Sequence, residues 1–313
     1  MKRITIVVTI LIILMSGVFQ KAGAQYYFYD NTYYDNPFLF ELGGSAGIIN
    51  CLTDLGGKKG IGKKFIKDVN FGNTQFAGGI FISATYKNSF ALRLEGTFGQ
   101  VKAFDSILKD VKSSVFGRYE RNLSFRSRIS EISLTTEFHP FFIFGNYEGG
   151  DAPPPRYSPY LLAGVGYFSF NPQAKLGNTW VDLQPLSTEG QGFKEYPNSK
   201  PYKLRQVCFP VGMGIKYELS SLFNVRAELG YRILTTDYLD DVSSKEFIDP
   251  AAFSNNFTGT KLANALLLSD RHFELNPNYI HTGEERGNPA NKDGYFTFNV
   301  KFSLIFGRER IKK

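Results

Sequence analysis

The chain has 313 residues, 42% of them hydrophobic and 16% aromatic, and a formal charge of +7. Residues 1–24 hold Lys2, Arg3 and Lys21 and no acid, which leaves 33 basic against 29 acidic residues beyond them; so mild a surplus, spread over long loops, excludes the basic face of a nucleic-acid binder. Two cysteines, Cys51 and Cys208, make no disulfide framework, and two separate thiols are expected.

Lys2 and Arg3 open the chain, Ile4 to Met15 is an apolar run too short to span a bilayer, and Ala22-Gly23-Ala24 supplies a cleavage site of small residues. Residues 1–24 are read as a secretory signal peptide, with no cysteine after the cut to carry a lipid anchor. Residues 25–37, aromatic and polar without a period, are read as a periplasmic lead-in, and residues 38–313 as one barrel domain.

The rest is a series of strands of period two. The first runs from about Phe38 to Ile49, with Phe40, Leu42, Ala46 and Ile48 opposite Glu41, Gly43, Ser45 and Gly47. A Gly- and Lys-rich loop, 50–73, follows. The second strand, Gln75 to Tyr86, turns tightly at Lys87-Asn88-Ser89 into the third, where Phe90, Leu92, Leu94 and Phe98 oppose Arg93, Glu95 and Thr97. Residues 102–126 read as a polar loop with a short helix near Ser106 to Val111. The fourth strand, about Arg128 to Phe138, sets Ile132, Leu134 and Thr136 against Glu131, Ser133 and Glu137. The connection at 145–158 contains Pro153-Pro154-Pro155, which no central strand accommodates.

The fifth strand runs from about Pro159 to Phe170, and 171–203 reads as loop. In the sixth, Val207 to Tyr217 alternate with Cys208, Gly212, Gly214, Lys216 and Glu218; Ser220-Ser221-Leu222 then turns into the seventh, where Val225, Ala227, Leu229, Tyr231 and Ile233 oppose Arg226, Glu228, Gly230 and Arg232. After the longest loop, 235–292, the eighth strand puts Phe296 to Phe306 opposite Thr297, Asn299, Lys301 and Ser303.

These strands are roughly 10–13 residues long, where soluble sheets average five or six and membrane-spanning strands need about 9–11. Long and short connections alternate, and aromatics collect at strand ends (Phe38, Tyr86, Phe90, Phe138, Tyr160, Tyr217, Phe223, Phe306), as interfacial girdles do. The expected fold is all-β: an eight-stranded antiparallel transmembrane β-barrel of the small OmpA/OmpX kind, with long extracellular loops. A secreted soluble barrel or sandwich, with the apolar face inside, is the competing architecture. In the membrane barrel, eleven charges would line the lumen: Glu41, Arg93, Glu95, Glu131, Glu137, Lys216, Glu218, Arg226, Glu228, Arg232 and Lys301. Their near-balance suits an enclosed ion network, and eight strands leave an interior just wide enough for side chains, so a plugged scaffold is expected.

Little in the sequence carries catalytic chemistry. His139 precedes Pro140 at a strand end, where a structural role is expected; His272 and His281 lie too irregularly in the longest loop for a zinc site. Asp237, Tyr238, Asp240 and Asp241 form an acidic loop motif whose spacing matches no EF-hand. There is no P-loop, nucleophile elbow or Ser/His/Asp arrangement. A non-enzymatic chain without a cofactor is expected, with a surface-binding barrel or a small channel as alternatives.

Thr236-Asp237-Tyr238-Leu239-Asp240-Asp241-Val242-Ser243, preceded by Glu228-Leu229-Gly230-Tyr231-Arg232, resembles the PorG-like outer-membrane barrels of the Bacteroidetes. The resemblance extends to Glu41-Leu42-Gly43-Gly44, Leu52-Thr53-Asp54-Leu55-Gly56-Gly57, Arg286-Gly287-Asn288-Pro289 and Asn291-Lys292-Asp293-Gly294-Tyr295. It departs at Thr53, where the family often has Gly, and at Gly294, where it often has Trp. The resemblance implies an outer-membrane location and a part in type IX secretion, with lipid and periplasmic secretion-ring proteins, including a lipoprotein subunit, as partners. It would direct the lead-in, both tight turns and the Pro-rich connection toward that ring. The acidic motif would lie at the cell surface and order the longest loop over the barrel mouth.

Overall fold

Strict alternation over a dozen residues leaves a strand with one greasy and one polar face, and eight such strands can satisfy every backbone edge only by closing on themselves. The computed structural model, which describes residues 33–57, 70–108, 116–145, 155–276, 282–290 and 292–310, shows that closure. Its strands are β1 (Tyr33–Leu52), β2 (Gln75–Tyr86), β3 (Phe90–Phe104), β4 (Ser124–Phe138), β5 (Tyr157–Ser169), β6 (Pro172–Leu176), β7 (Thr179–Asp182), β8 (Arg205–Glu218), β9 (Phe223–Leu234) and β10 (Gly294–Arg310). The ring runs β1-β2-β3-β4-β5-β8-β9-β10, with β10 antiparallel to β1, a closed eight-stranded antiparallel barrel. Among the described residues no helix is long and apolar enough to cross a membrane.

The two faces are sorted in one sense only. Phe40, Leu42, Ile82, Leu94, Ile132, Leu161, Met213 and Phe302 point outward and are exposed, while the polar partners on the same strands are buried. The soluble alternative is thereby overturned: each large outward side chain would gain roughly 1.5–3 kcal/mol on leaving water for hydrocarbon. The eight aromatics noted at strand ends do not make two girdles. All lie at the short-turn end, where Phe38 meets Tyr86 at 5.0 Å and Phe90 meets Phe138 at 5.8 Å between ring centroids, and Tyr160 turns inward. The girdle at the loop end comes from Phe76, Phe98, Tyr167, Tyr231 and Phe296, with the last two rings 4.7 Å apart.

Several strands outrun the reading from alternation. β1 begins at Tyr33, inside the expected lead-in, and pairs Tyr33–Asp35 with Arg308–Arg310 across a register shift between Asp35 and Phe40. Pro37 lacks the N–H a regular ladder needs, and Gly307 opposite takes φ +100°. β3 and β4 continue to Phe104 and back from Ser124, so the expected 102–126 loop is strand at its two ends. Polar residues outside the greasy band lose the alternation that identifies a strand without losing its hydrogen bonds.

The segment 171–203, read as loop, holds the β6–β7 hairpin, closed at Gly177 with φ +58°. β6 pairs with β4 at Arg126–Gln173 and Ser127–Pro172, taking the edge that β5 leaves at Ser169. The 235–292 segment holds helices α3 (Pro250–Asn256) and α4 (Gly259–Ser269); Asp249 caps α3 by accepting from the Ala251 N–H. These helices and the hairpin enclose a small core of their own, with Ala174, Leu186, Phe193, Phe253, Ala265 and Leu268 buried together. Two short helices lie elsewhere, α1 (Phe116–Arg121) and α2 (Pro140–Phe144). Of the helix expected near Ser106 to Val111, Asp105–Leu108 forms a 3-10 turn and the remainder lies outside the described residues. So do residues 1–32, covering the expected signal peptide and most of the expected lead-in, and His281.

Candidate functional site

The barrel interior divides into a charged lower part and an apolar upper part. All eleven charges named from the sequence point inward and are buried. Arg93 is the hub, with Nη1 2.7 Å from both Glu137 and Glu228 and Nε 3.2 Å from Glu95. Arg226 joins Glu137 at 2.8 Å to Glu41 at 2.6 Å, and Lys301 lies 3.0 Å from Glu228 and 2.5 Å from Glu95. Lys216 stands 3.8 Å from Glu41. Nearer the loop end, Arg232 pairs with Glu131 at 3.0 Å, and Tyr295 donates its hydroxyl to the same carboxylate. Tyr160 does so to Glu228 at 2.7 Å. His139 is fully buried at the opposite end, its ring 2.8 Å from Ser158 Oγ and 3.3 Å from Glu137, in a structural position inside the barrel.

Two lumen residues escaped the sequence reading. Phe81 sits in the middle of the network, its ring centre 5.5–5.8 Å from Lys301, Arg226 and Arg93. Its signal was parity: it falls on the same face of β2 as Gly79, Ser83 and Thr85. Arg308 pairs with Glu218 at 3.0 Å. It stands out of step with Lys301, Ser303 and Ile305, and no period could have found it, because the irregularity at Gly307 turns it inward.

Above the charges the inner face becomes apolar. Ile49, Cys51, Ala77, Val101, Phe125, Ile129, Phe168, Cys208, Leu234 and Tyr295 form one core with Leu55, Leu239 and Val242 from the loops. Cys51 and Cys208 are both free thiols in that core. A ladder of rings extends it upward: Phe168 on Phe170, Phe170 on Tyr202, and Tyr202 on Tyr238 at 4.4 Å and 9°.

The acidic motif pins the longest loop onto this core. Asp240 accepts from the Leu55 N–H at 3.1 Å and the Val242 N–H at 3.0 Å, tying the 235–292 segment to the loop after β1. Asp241, at φ +67°, accepts from the Thr188 and Tyr202 hydroxyls, both at 2.5 Å, and its carbonyl accepts from Arg286 at 3.1 Å. Arg286 in turn pairs with Glu189 at 2.5 Å, and its carbonyl accepts from Arg121, which binds Asp105 at 2.8 Å. Asp293 accepts from the Leu239 N–H at 2.8 Å, and Asp54 from the Asn288 N–H at 2.6 Å. The sequence reading did not single out Arg121, Asp105, Glu189 or Arg286 as a set; they come from three separate connections, Asp105 and Arg121 sharing the one between β3 and β4, and share no spacing.

This is a crowded acidic site. Burial pushes Asp240 and Asp293 well above the ordinary carboxylate range, and the charge of Asp54 raises both further. Burial also lifts Asp241 to about 7 against the opposing pull of Arg286, and lifts the half-buried Asp237 to about 7. Among the described residues no three His, Cys, Asp or Glu side chains are arranged to hold a metal ion. What the arrangement does chemically is fasten loops: its carboxylates other than Asp237 are spent on backbone N–H groups, hydroxyls and guanidinium groups.

Residues 41–255 match a family described as "Domain of unknown function (DUF6089)". No curated protein matches the sequence. Among solved structures, the chain is similar to the N-terminal β-barrel domain of Pseudomonas aeruginosa OprF, at 10% identity over 87% of this chain and 100% of that one, with a TM-score of 0.33. It is also similar to the outer-membrane protein OprG of the same organism, at 10% identity over 87% and 97%, TM-score 0.37. Neisserial surface protein A is similar at 8% identity over 87% and 99%, TM-score 0.35.

Proposed function

From a chain that belongs to the DUF6089 family, and whose closed barrel turns its greasy face outward, we propose a non-enzymatic scaffold of the outer membrane that serves type IX protein secretion. The observation that carries the scaffold reading is the double seal: an ion-paired lumen below and an apolar plug with pinned loops above. A barrel filled in this way offers surfaces to partners and no passage to solutes. The secretion role is supported by the resemblance of the acidic motif and the segments around it to PorG-like barrels. In this reading the short-turn end faces a periplasmic ring of proteins that includes a lipoprotein. At that end α2 presents the exposed Phe144 and the β8–β9 turn presents Leu219 and Leu222.

The test is cross-linking in native outer membranes followed by purification of the barrel, with secretion scored in a deletion strain. Recovery of secretion-ring subunits and a secretion defect are the expected results. A barrel that brings down no periplasmic protein and whose loss leaves secretion intact would remove the reading. The separate core of the loop cap supports a second reading, a surface-binding barrel. It predicts the opposite pattern: capture of an outside ligand and normal secretion.

A further inference from the structure

One face of the barrel wall carries charge that no acidic side chain among the described residues neutralises. On the outward side of β3 and β4, just past Phe98 toward the loop end, stand Lys102, Arg126 and Arg128. Lys102 and Arg126 are direct cross-strand partners, and Arg128 is the next outward residue on β4. Like charges opposite each other on an antiparallel pair destabilise it. Here the pair is kept, and a third cation is added beside it. The β6–β7 hairpin continues the patch: Lys175 pairs with Trp180 across the hairpin, and the Trp180 ring lies 3.7 Å from the Arg126 guanidinium. Arg205 is exposed on β8, opposite Ser169 of β5, which itself faces Ser130 of β4. Among the described residues no acidic side chain forms an ion pair with Lys102, Arg126, Arg128, Lys175 or Arg205. The nearby acid, Asp182, is occupied by the amides of Asn171 at 3.0 Å and Gln173 at 2.6 Å.

The height of the patch identifies its occupant. Phe98, Ile132 and Tyr167 are exposed members of the greasy band and its girdle, and Ser130 is level with Phe98 in the ladder. Lys102 lies four residues further along β3, about 13 Å at strand rise. The girdle ring of Phe98 marks where hydrocarbon gives way, so along a tilted strand Lys102 stands just beyond it, among the headgroups. A guanidinium fork matches a phosphate's oxygens, and a cation at a membrane surface is drawn to anionic lipid.

We propose that Lys102, Arg126 and Arg128, extended by Lys175 and Arg205, form a docking face for the phosphate of an anionic lipid headgroup in the leaflet on the loop side. The lipid's negative charge separates the opposed Lys102 and Arg126, Arg128 supplies the fork, and the acyl chains lie along Phe98 and Ile132. The inference rests on the barrel being membrane-embedded and not on its part in secretion.

The test uses the full folded chain in phosphatidylcholine vesicles doped with a minor fraction of phosphatidylglycerol. Native mass spectrometry of the released protein counts the lipids retained, and the heat-dependent gel shift of a folded barrel is checked for every variant. The wild type is expected to retain phosphatidylglycerol over phosphatidylcholine. Arg128→Gln is expected to lower that preference about fivefold, and Lys102→Gln/Arg126→Gln/Arg128→Gln to abolish it. Lys200→Gln, an exposed cation away from the wall, should leave it unchanged. An excess of inorganic phosphate should not displace the lipid; displacement would make this a site for free anions and overturn the proposal. Equal retention of both lipids by the wild type, or full preference in the folded triple variant, also overturns it. A wild type that inserts into neither vesicle indicts the membrane reading instead.

Discussion

Phe81 lies directly across the β1–β2 ladder from Gly43, and its ring occupies the space a Gly43 side chain would need: a Cβ built there would stand 2.6 Å from the Phe81 ring and collide with the Phe302 carbonyl. Tyr160 treats Gly214 in the same way, lying over it 2.5 Å from where a Cβ would be. In each case a missing side chain on one strand admits an aromatic ring into the lumen, and the cations gather around it. Gly43→Ala is therefore expected to destabilise the folded barrel by about 1–3 kcal/mol. Urea unfolding, followed by the loss of the heat-dependent gel shift, measures it. An unchanged midpoint would show that the ring and the Phe302 carbonyl can give way.

Removing one member of the lumen network should cost far more than removing a surface charge. Arg93→Met leaves Glu137 and Glu228, each held at 2.7 Å, without their shared cation. A loss of about 3–5 kcal/mol is expected, because one buried negative charge is left uncompensated even though Glu137 keeps Arg226 at 2.8 Å and Glu228 keeps Lys301 at 3.0 Å. Adding Glu228→Gln should return part of that loss. A double variant no better than the single one would mean that Arg93 acts chiefly through packing against Phe81.

The cap should be held less firmly as pH rises. Asp241 and Asp237 stand at about 7 in the folded chain against an ordinary 3.8, raised first by burial. Between those values the folded state binds more protons than the unfolded one, so stability falls with rising pH and levels off above about 7. For the fully buried Asp241 the difference between the ends of that window is on the order of a few kcal/mol. Limited proteolysis of the inserted barrel should cut the 235–292 segment more slowly at pH 5 than at pH 8. Asp241→Asn should weaken that dependence, and a cutting rate indifferent to pH in the wild type would contradict it.

Arg286 should be needed for the cap and not for the barrel. It joins Glu189, Thr188 and the Asp241 carbonyl and touches no lumen charge. Arg286→Ala strands the buried Glu189 carboxylate, so surface proteolysis of the loops should accelerate several-fold while membrane insertion stays normal. A variant that fails to insert would show that the cap forms before or with the barrel.

The filled lumen should pass no ions. Planar-bilayer recordings of the folded chain should stay near baseline, because Arg93, Arg226, Lys301 and their carboxylates fill the cross-section around Phe81. Large steady conductance would sink the scaffold reading in favour of the channel.

Much of this protein can be read from period two alone. Glu41, Arg93, Arg226, Lys301 and the other lumen charges are named by it, because a pleated strand sends every second side chain to the same face, whatever the strand packs against. β2 and β9 match their expected limits, for tight turns at Lys87–Ser89 and Ser220–Leu222 bound one end of each. Alternation says nothing, however, about which face is enclosed. Closure of β3 on β4 and β10 on β1 decided that, and with it which residues pair. The inward turn of Arg308 depends on the backbone at Gly307, and the Arg286–Glu189 pair and the bond from Arg121 to the Arg286 carbonyl join loops far apart in the chain. Local sequence governs the direction of a side chain through backbone geometry, but a partner across the barrel or across the cap is set by how distant segments fold together, and spacing along the chain carries no record of it.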